Sequence, residues 1–308
     1  MRILVTGGTG LVGARLVARF RERGDDVVLL TRRPVEQVHV QGVTILQGDP
    51  ASPGPWLEEI SWCDAVVHLA GENVFARRWS TSFKQMLVDS RVKSTRLLAE
   101  TLAASPRRAD GSPKIFVSAS AIGYYGMDSQ EECGEDSPHG SDFLAHLCVE
   151  WEAAAQPAAS AGVRVAHVRV GVVLDPDGGA LPKLVKPFRF FCGGPIGSGR
   201  QWISWIHRDD LIGLLLMALD RPEVNGPING TAPEPQTNWG VAQTLARVLR
   251  RPAWLRVPSF VVRVLLGERA NLVLTGPRVV PRKVMEFGYV YLFPDLEPAL
   301  RDLLARSG

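Results

Sequence analysis

The chain has 308 residues, with 35 Lys or Arg, 32 Asp or Glu and a formal net charge of +3; 45% of residues are hydrophobic and 22% charged. That length accommodates one large α/β domain, or a main domain with a smaller appendage, and the balance is that of an ordinary globular protein. No apolar run approaches the roughly 18 to 20 residues that span a bilayer, and the first residues lack the pattern of a secretory signal. Basic residues come in scattered pairs such as Arg77-Arg78 and Arg107-Arg108, not in the one-sided cluster of a nucleic-acid protein. Neither nucleic acid nor a membrane is expected as a partner, and the expected location is cytoplasmic. Cys63, Cys133, Cys148 and Cys192 form no C-x-x-C pair, so no metal site and no disulfide framework are expected.

Residues 2–6 read as a short apolar strand ending in Gly7-Gly8-Thr9-Gly10. Leu11, Val12, Leu16, Val17 and Phe20 then recur at helical spacing, Gly24 falls where a helix would be capped, and Val27 to Leu30 forms a second apolar run. Val43–Leu46 and Ala65–Leu69 read as third and fourth strands, residues 82–104 as a long amphipathic helix and Ile115–Ser118 as a fifth strand. A further helix is expected over Asp142–Ala161 and a sixth strand over Val163–Val170. Buried strands alternating with helices predict an α/β fold with a doubly wound, mostly parallel sheet. Past Leu174 Gly and Pro become frequent. Residues 1–174 are therefore expected to form the nucleotide-binding domain, with contributions from about 200–230, and residues 175–308 a smaller substrate-side region.

Gly7-x-x-Gly10-x-x-Gly13 follows a strand and opens a helix, the context of a dinucleotide-binding Rossmann turn. Gly7 permits the tight turn, Gly10 lets backbone approach a pyrophosphate, and Gly13 lets helix and strand pack closely. Thr9, Leu11 and Val12 lie in the same turn, where free N–H groups and the positive helix end favour phosphate. At the end of the second strand, where an acidic residue would bind the ribose 2′-hydroxyl of NAD, the chain has Thr31-Arg32-Arg33. A hydroxyl and two guanidinium groups suit a 2′-phosphate, so the expected cofactor is NADP(H). Asp49 is expected near the adenine, and Leu69-Ala70-Gly71 against the adenosine ribose and pyrophosphate.

From these glycines onward the chain resembles the extended short-chain dehydrogenase/reductases, and within them the atypical branch known as the epimerase family of NADP-dependent oxidoreductases. Carrying the resemblance are Leu69-Ala-Gly-Glu72, Asp89-Ser-Arg-Val92, Ser118-Ala-Ser-Ala-Ile-Gly-Tyr-Tyr-Gly126, Trp151-Glu-Ala-Ala154, Arg169-Val-Gly-Val-Val-Leu174, Gly193-Gly-Pro-Ile-Gly-Ser-Gly199 and Trp205-Ile-His207, in order along the chain. The resemblance implies that Arg91, Ser118 and Val173 join the cofactor site, and that a homodimer forms through the long helices.

Extended members exchange a proton through a Tyr-x-x-x-Lys helix. Here that helix reads Phe143-Leu-Ala-His-Leu-Cys148, without Tyr or Lys. Ser120, matching the family's active-site Ser, and Tyr124 and Tyr125 just after it are the substitute catalytic candidates. Arg189, Arg200 and Arg208 are candidate grips for a diphosphate. The acidic stretch 127–142 is expected to face solvent. His207 beside Asp209, Asp210 and Ser204 invites a hydrolase reading, but no G-x-S-x-G elbow supports it. The expected function is NADP(H)-dependent oxidoreduction of a small carbonyl or hydroxyl substrate. The alternatives are a non-catalytic NADP(H)-binding sensor or partner-binding protein, and a sugar-nucleotide epimerase or dehydratase.

Overall fold

The structure, a computed structural model, describes residues 1–129 and 131–306. Seven strands form the central sheet: β1 Arg2–Thr6, β2 Asp26–Thr31, β3 Thr44–Gln47, β4 Ala65–His68, β5 Ile115–Ala121, β6 Arg164–Val170 and β7 Gly226–Gly230. Their order is β7-β6-β5-β4-β1-β2-β3, and every pairing is parallel. Strand order reverses between β1 and β4, which opens a crevice beyond their carboxyl ends.

Both faces of this sheet are covered, which is why its strands read as nearly continuous apolar runs. Along β1, Ile3 and Val5 point into one core with Val17 and Phe20 of helix α1 (Leu11–Glu22) and Leu211, Leu214 and Leu215 of a later helix, Arg208–Asp220. Leu4 points the other way, toward Leu98, Ala99 and Leu102 of α2 (Thr81–Ala104). The two-residue alternation of a strand thus distributes its side chains between the layers.

The helix expected over 142–161 is two helices, α3 (Phe143–Ala153) and α4 (Gln156–Ser160). Pro157 explains the break: it lacks an N–H, and its ring would clash with the carbonyl four residues back. Helices Leu57–Trp62, Leu181–Arg189, Ser259–Leu266 and Leu296–Ala305 were not legible as separate elements. Beyond β6, helices Leu181–Arg189, Asn238–Leu249 and Leu296–Ala305 enclose a further core around Trp205 and Leu174. Strand β7 returns from that region to complete the sheet.

One connection matters for the site. The hairpin Val172–Asp175/Gly178–Gly179 lies against the start of α1, where Leu11 meets Gly178. Arg15 of α1 holds it through Asp175 at 3.1 Å, and Arg208 reaches the same buried carboxylate at 2.9 Å.

Candidate functional site

A cleft of about 680 Å³ opens over the carboxyl ends of β1, β2 and β4. Gly7, Thr9 and Gly10 line it from the first turn, Thr31, Arg32 and Arg33 from the end of β2, and Asp49 from the end of β3. Leu69, Ala70, Gly71 and Glu72 line it from the end of β4, facing Gln85, Met86 and Asp89 of α2. Ten of the positions expected for a cofactor thus meet in one cavity.

Gly7 adopts φ +71°, and a Cβ there would lie 2.7 Å from Ala70 N. The turn closes through Gly10 N donating to Gly7 O at 3.0 Å. At Gly13 a Cβ would come within 2.2 Å of that same oxygen, so only a glycine lets α1 begin so close to the strand. The α1 N-terminus has no side-chain cap and no acidic residue in its first turn. Its free N–H groups and positive dipole end are left for an anion. Leu11 and Val12 contribute to this from the backbone, because their side chains pack on Gly178 and on the core.

At the far end Thr31 is buried and its Oγ1 accepts from Arg33 N at 3.1 Å, which fixes the turn. Arg32 and Arg33 are exposed, and neither is ion-paired among the described residues. The carboxylate of Asp49 accepts from Ala51 N, turning the loop that carries Pro50 and Ala51 into the cleft wall. A dinucleotide with an extra phosphate at this end fits the donors present.

Under Leu69-Ala70-Gly71 runs a buried polar chain that the sequence reading missed. Ala70 N donates to Thr6 Oγ1 at 3.4 Å, Thr6 Oγ1 lies 2.6 Å from His68 Nδ1, and His68 Nε2 lies 3.0 Å from Ser94 Oγ. Ser94 donates onward to Ser90 O at 2.8 Å. One assignment satisfies every group: Thr6 donates to Nδ1, and a neutral His68 donates from Nε2 to Ser94. Burial, aided by Arg91, lowers the His68 pKa to about 3. Polar residues ending the apolar runs of β1 and β4 were the available signal.

Arg91 does not present its guanidinium to the cleft. It donates to Glu72 O at 2.8 Å and Leu87 O at 3.2 Å and lies over the Trp151 ring, so it braces the Gly71-Glu72 loop. Ser118 is fully buried within β5, donating to Ala119 O, and Val173 packs against the core; neither lines the cleft.

The catalytic candidates converge on a different group. Ser120 is buried and donates to Glu152 Oε1 at 2.6 Å, so as placed its proton is not free to polarise a substrate oxygen. Arg169 grips the same carboxylate from Nε and Nη2, both at 2.8 Å. Burial would raise the Glu152 pKa, but the Arg169 bonds outweigh it and the carboxyl stays ionised. Tyr125, a catalytic candidate from the sequence, is enclosed instead: it donates to Asn229 Oδ1 at 2.7 Å, accepts from Arg169 at 2.9 Å, and burial pushes its pKa up to about 12. Tyr124 is half-buried, with the Arg169 guanidinium 3.5 Å over its ring and His139 edge-on at 6.0 Å. The pairing of Glu152 with Arg169 was not anticipated, although opposite charges inside an apolar helix and an apolar strand mark a buried pair.

On α3, Phe143 and Leu147 stand four residues apart on one side and pack in an apolar cluster with Phe83 and Trp79. Arg208 is not a substrate grip, being buried against Asp175, whereas Arg189 and Arg200 are exposed. Most of the acidic stretch faces solvent as expected, with Asp128, Glu131, Glu132 and Asp136 exposed, but Glu135 is buried and accepts from Asn229 N and Lys283 N, Glu132 pairs with Arg282, and Asp142 caps α3. Gln130 of that stretch lies outside the described residues. Ser204 is tied to Pro277 O and Val279 N, and His207 caps the helix Arg208–Asp220. His207, Asp209 and Asp302 approach one another, but Arg306 occupies both carboxylates at 2.9 Å. Cys63, Cys133 and Cys148 are buried and Cys192 is exposed, all as free thiols. No helix among the described residues is long and apolar enough to cross a membrane.

The family model described as the NAD dependent epimerase/dehydratase family matches residues 3–229, and a domain of unknown function, DUF1731, matches residues 257–303. The chain is 41% identical over 310 residues to the chloroplastic epimerase family protein SDR39U1 homolog of Arabidopsis thaliana, covering 99% of this chain and 87% of that one. The crystal structure of human epimerase family protein SDR39U1 (isoform 2) with NADPH superposes with a TM-score of 0.86 at 38% identity, over 99% of both chains. A nucleoside-diphosphate sugar epimerase from Corynebacterium glutamicum superposes with a TM-score of 0.79 at 33% identity, over 98% of this chain and 58% of that one. With its reversed strand order, its glycine turn and a match over most of its length, the chain belongs to the NAD dependent epimerase/dehydratase family.

Proposed function

We propose that the chain is an NADP(H)-dependent oxidoreductase acting on a small carbonyl or hydroxyl compound. The observation that carries the cofactor is the end of β2: Arg32 and Arg33 stand exposed on the cleft without ion-pair partners among the described residues, and no carboxylate takes the place of a ribose ligand there. The human relative solved with NADPH supports the same choice. Gly7, Gly10 and the open end of α1 would hold the pyrophosphate, and Arg32 and Arg33 the 2′-phosphate. When bound, the reduced cofactor would supply a hydride to a carbonyl carbon, or the oxidised cofactor would accept one from the carbon bearing a hydroxyl.

The chain's own part is to deliver a proton to the carbonyl oxygen, or to take one from the hydroxyl. We assign that transfer to Tyr124, the one phenol of the pair with an exposed edge, held in place by the Arg169 guanidinium. Ser120 then serves to hold Glu152. The test is a side-by-side fluorescence titration with NADPH and NADH, followed by a carbonyl screen with wild type and Tyr124→Phe. Tighter NADPH binding, and turnover that Tyr124→Phe reduces at least tenfold, support the reading. Equal binding of the two cofactors overturns the 2′-phosphate assignment.

A second reading, a non-catalytic NADP(H) sensor, is favoured by Phe143 and Leu147. They place two apolar side chains at four-residue spacing on the helix where extended relatives carry Tyr and Lys. Normal cofactor affinity together with failure of every carbonyl in the screen would select it. Sugar-nucleotide epimerisation loses ground for the same reason, and because Arg208 is spent on Asp175.

A further inference from the structure

Away from the cleft, residues 183–200 and 250–266 run beside each other. Trp254 Nε1 donates to Phe191 O at 3.0 Å, Leu255 N donates to Gly193 O at 3.1 Å, and Ile196 bridges Val257. Phe188 is buried, but both stretches turn other large apolar side chains outward. Phe190, Trp254 and Phe260 are each 69% exposed, and Val264, one turn beyond Phe260, is 73% exposed. Phe191 is held at φ 60°, a conformation that a bulky side chain rarely adopts. Side chains this exposed protrude, and so do not line a groove.

The charge around them is one-sided. Each stretch carries four Lys or Arg and no Asp or Glu, in a chain with 35 basic and 32 acidic residues overall. All eight cations are exposed, and none is ion-paired among the described residues. The next acidic side chain, Glu268, is taken by Lys84 at 2.6 Å. Arg251 lies 4.5 Å over the Phe191 ring, so cation and aromatic occupy one patch.

Exposed apolar side chains gathered in this way mark an interaction surface. Protruding aromatic side chains among unpaired Lys and Arg match the boundary of a bilayer, where rings sit at headgroup depth and long basic side chains reach anionic headgroups. We propose that this face docks peripherally on an anionic phospholipid surface, inserting Phe190, Trp254 and Phe260 while Lys186, Arg189 and Arg251 engage the headgroups. Such docking needs no spanning helix, so hydropathy alone did not reveal it, and it revises the expectation that no membrane is a partner.

The test is co-sedimentation of the full chain, saturated with NADPH, with vesicles of phosphatidylcholine alone or containing about one-third phosphatidylserine. Binding to the anionic vesicles is expected to exceed binding to the neutral ones by about tenfold or more, and to fall steeply with added salt. Phe190→Ser/Trp254→Ser and Lys186→Glu/Arg251→Glu should each abolish most of it, while NADPH affinity and circular dichroism stay at wild-type values. Failure to sediment with either vesicle overturns the proposal, as does sedimentation that both double variants retain. Light scattering that shows a dimer dissolved by Phe190→Ser/Trp254→Ser, with no vesicle binding, would assign the face to a second copy instead.

Discussion

Ser120 Oγ lies 2.6 Å from Glu152 Oε1, and Arg169 closes on the same carboxylate with two further bonds of 2.8 Å. Arg169 also reaches Tyr125 and the carbonyl of Glu135, so a single guanidinium ties β6, α3 and the turn after β5 together. Glu152→Gln would leave that buried cation without its counter-charge. We expect a loss of about 3–5 kcal/mol, whereas Ser120→Ala, which leaves the ion pair intact, should cost about 1–2 kcal/mol. Urea denaturation at neutral pH measures both. Equal losses would show that the pair is not the element holding these segments.

Arg32→Ala and Arg33→Ala address the cofactor. Each removes an exposed guanidinium far from the core, so stability should hold within about half a kcal/mol. NADPH affinity should drop about ten- to a hundredfold for the variant that removes the stronger phosphate contact. NADH affinity should be unchanged in both. A parallel loss of NADH affinity would mean that the arginines shape the cleft without selecting a phosphate.

Much of this was legible beforehand, for identifiable reasons. Strand–glycine–helix spacing around Gly7, Gly10 and Gly13 is a local pattern, and it located one end of the cleft; Thr31-Arg32-Arg33 is equally local, and it located the other. The buried networks were not legible, because their members are distant in sequence. Asn229 meets Tyr125 across 104 residues, and Arg208 reaches Asp175 from 33 residues away. Arg208 read as a diphosphate grip and Glu135 as a solvent-facing charge because nothing adjacent to them in sequence announces a buried partner. The exposed face around Trp254 was hidden for the opposite reason: apolar residues read as core until the fold leaves them outside.

Gly13→Ala tests the close start of α1. The added carbon would sit 2.2 Å from the Gly7 carbonyl oxygen, a backbone atom that cannot swing aside. Either α1 shifts outward or the turn opens, at a cost of about 1–3 kcal/mol. Both responses move the N–H groups expected to face the pyrophosphate, so NADPH and NADH affinity should fall together. That pattern separates it from the arginine variants, and cofactor titration alongside thermal melting measures it.

His68 predicts a pH dependence of stability. Burial lowers its folded pKa from 6.5 to about 3, so the folded chain keeps the imidazole neutral while the unfolded chain protonates it below 6.5. The unfolded state therefore binds more protons through the window from about 6.5 down to about 3, and stability must fall as pH falls through it. At pH 4.5 this one group should have removed about 2–3 kcal/mol relative to pH 7.5. Glu152, whose folded pKa is lowered by Arg169, acts in the same direction further down the scale. Thermal melts of the cofactor-free protein from pH 7.5 to 4.5 should show a falling Tm. His68→Gln should be less stable at pH 7.5 and yet lose less on acidification, because it has no imidazole to protonate. If wild type and His68→Gln lost stability in parallel across that range, the neutral histidine under the Leu69-Ala70-Gly71 loop would not be the titrating group, and the proton assignment running from Ala70 through Thr6 to Ser94 would have to be redrawn.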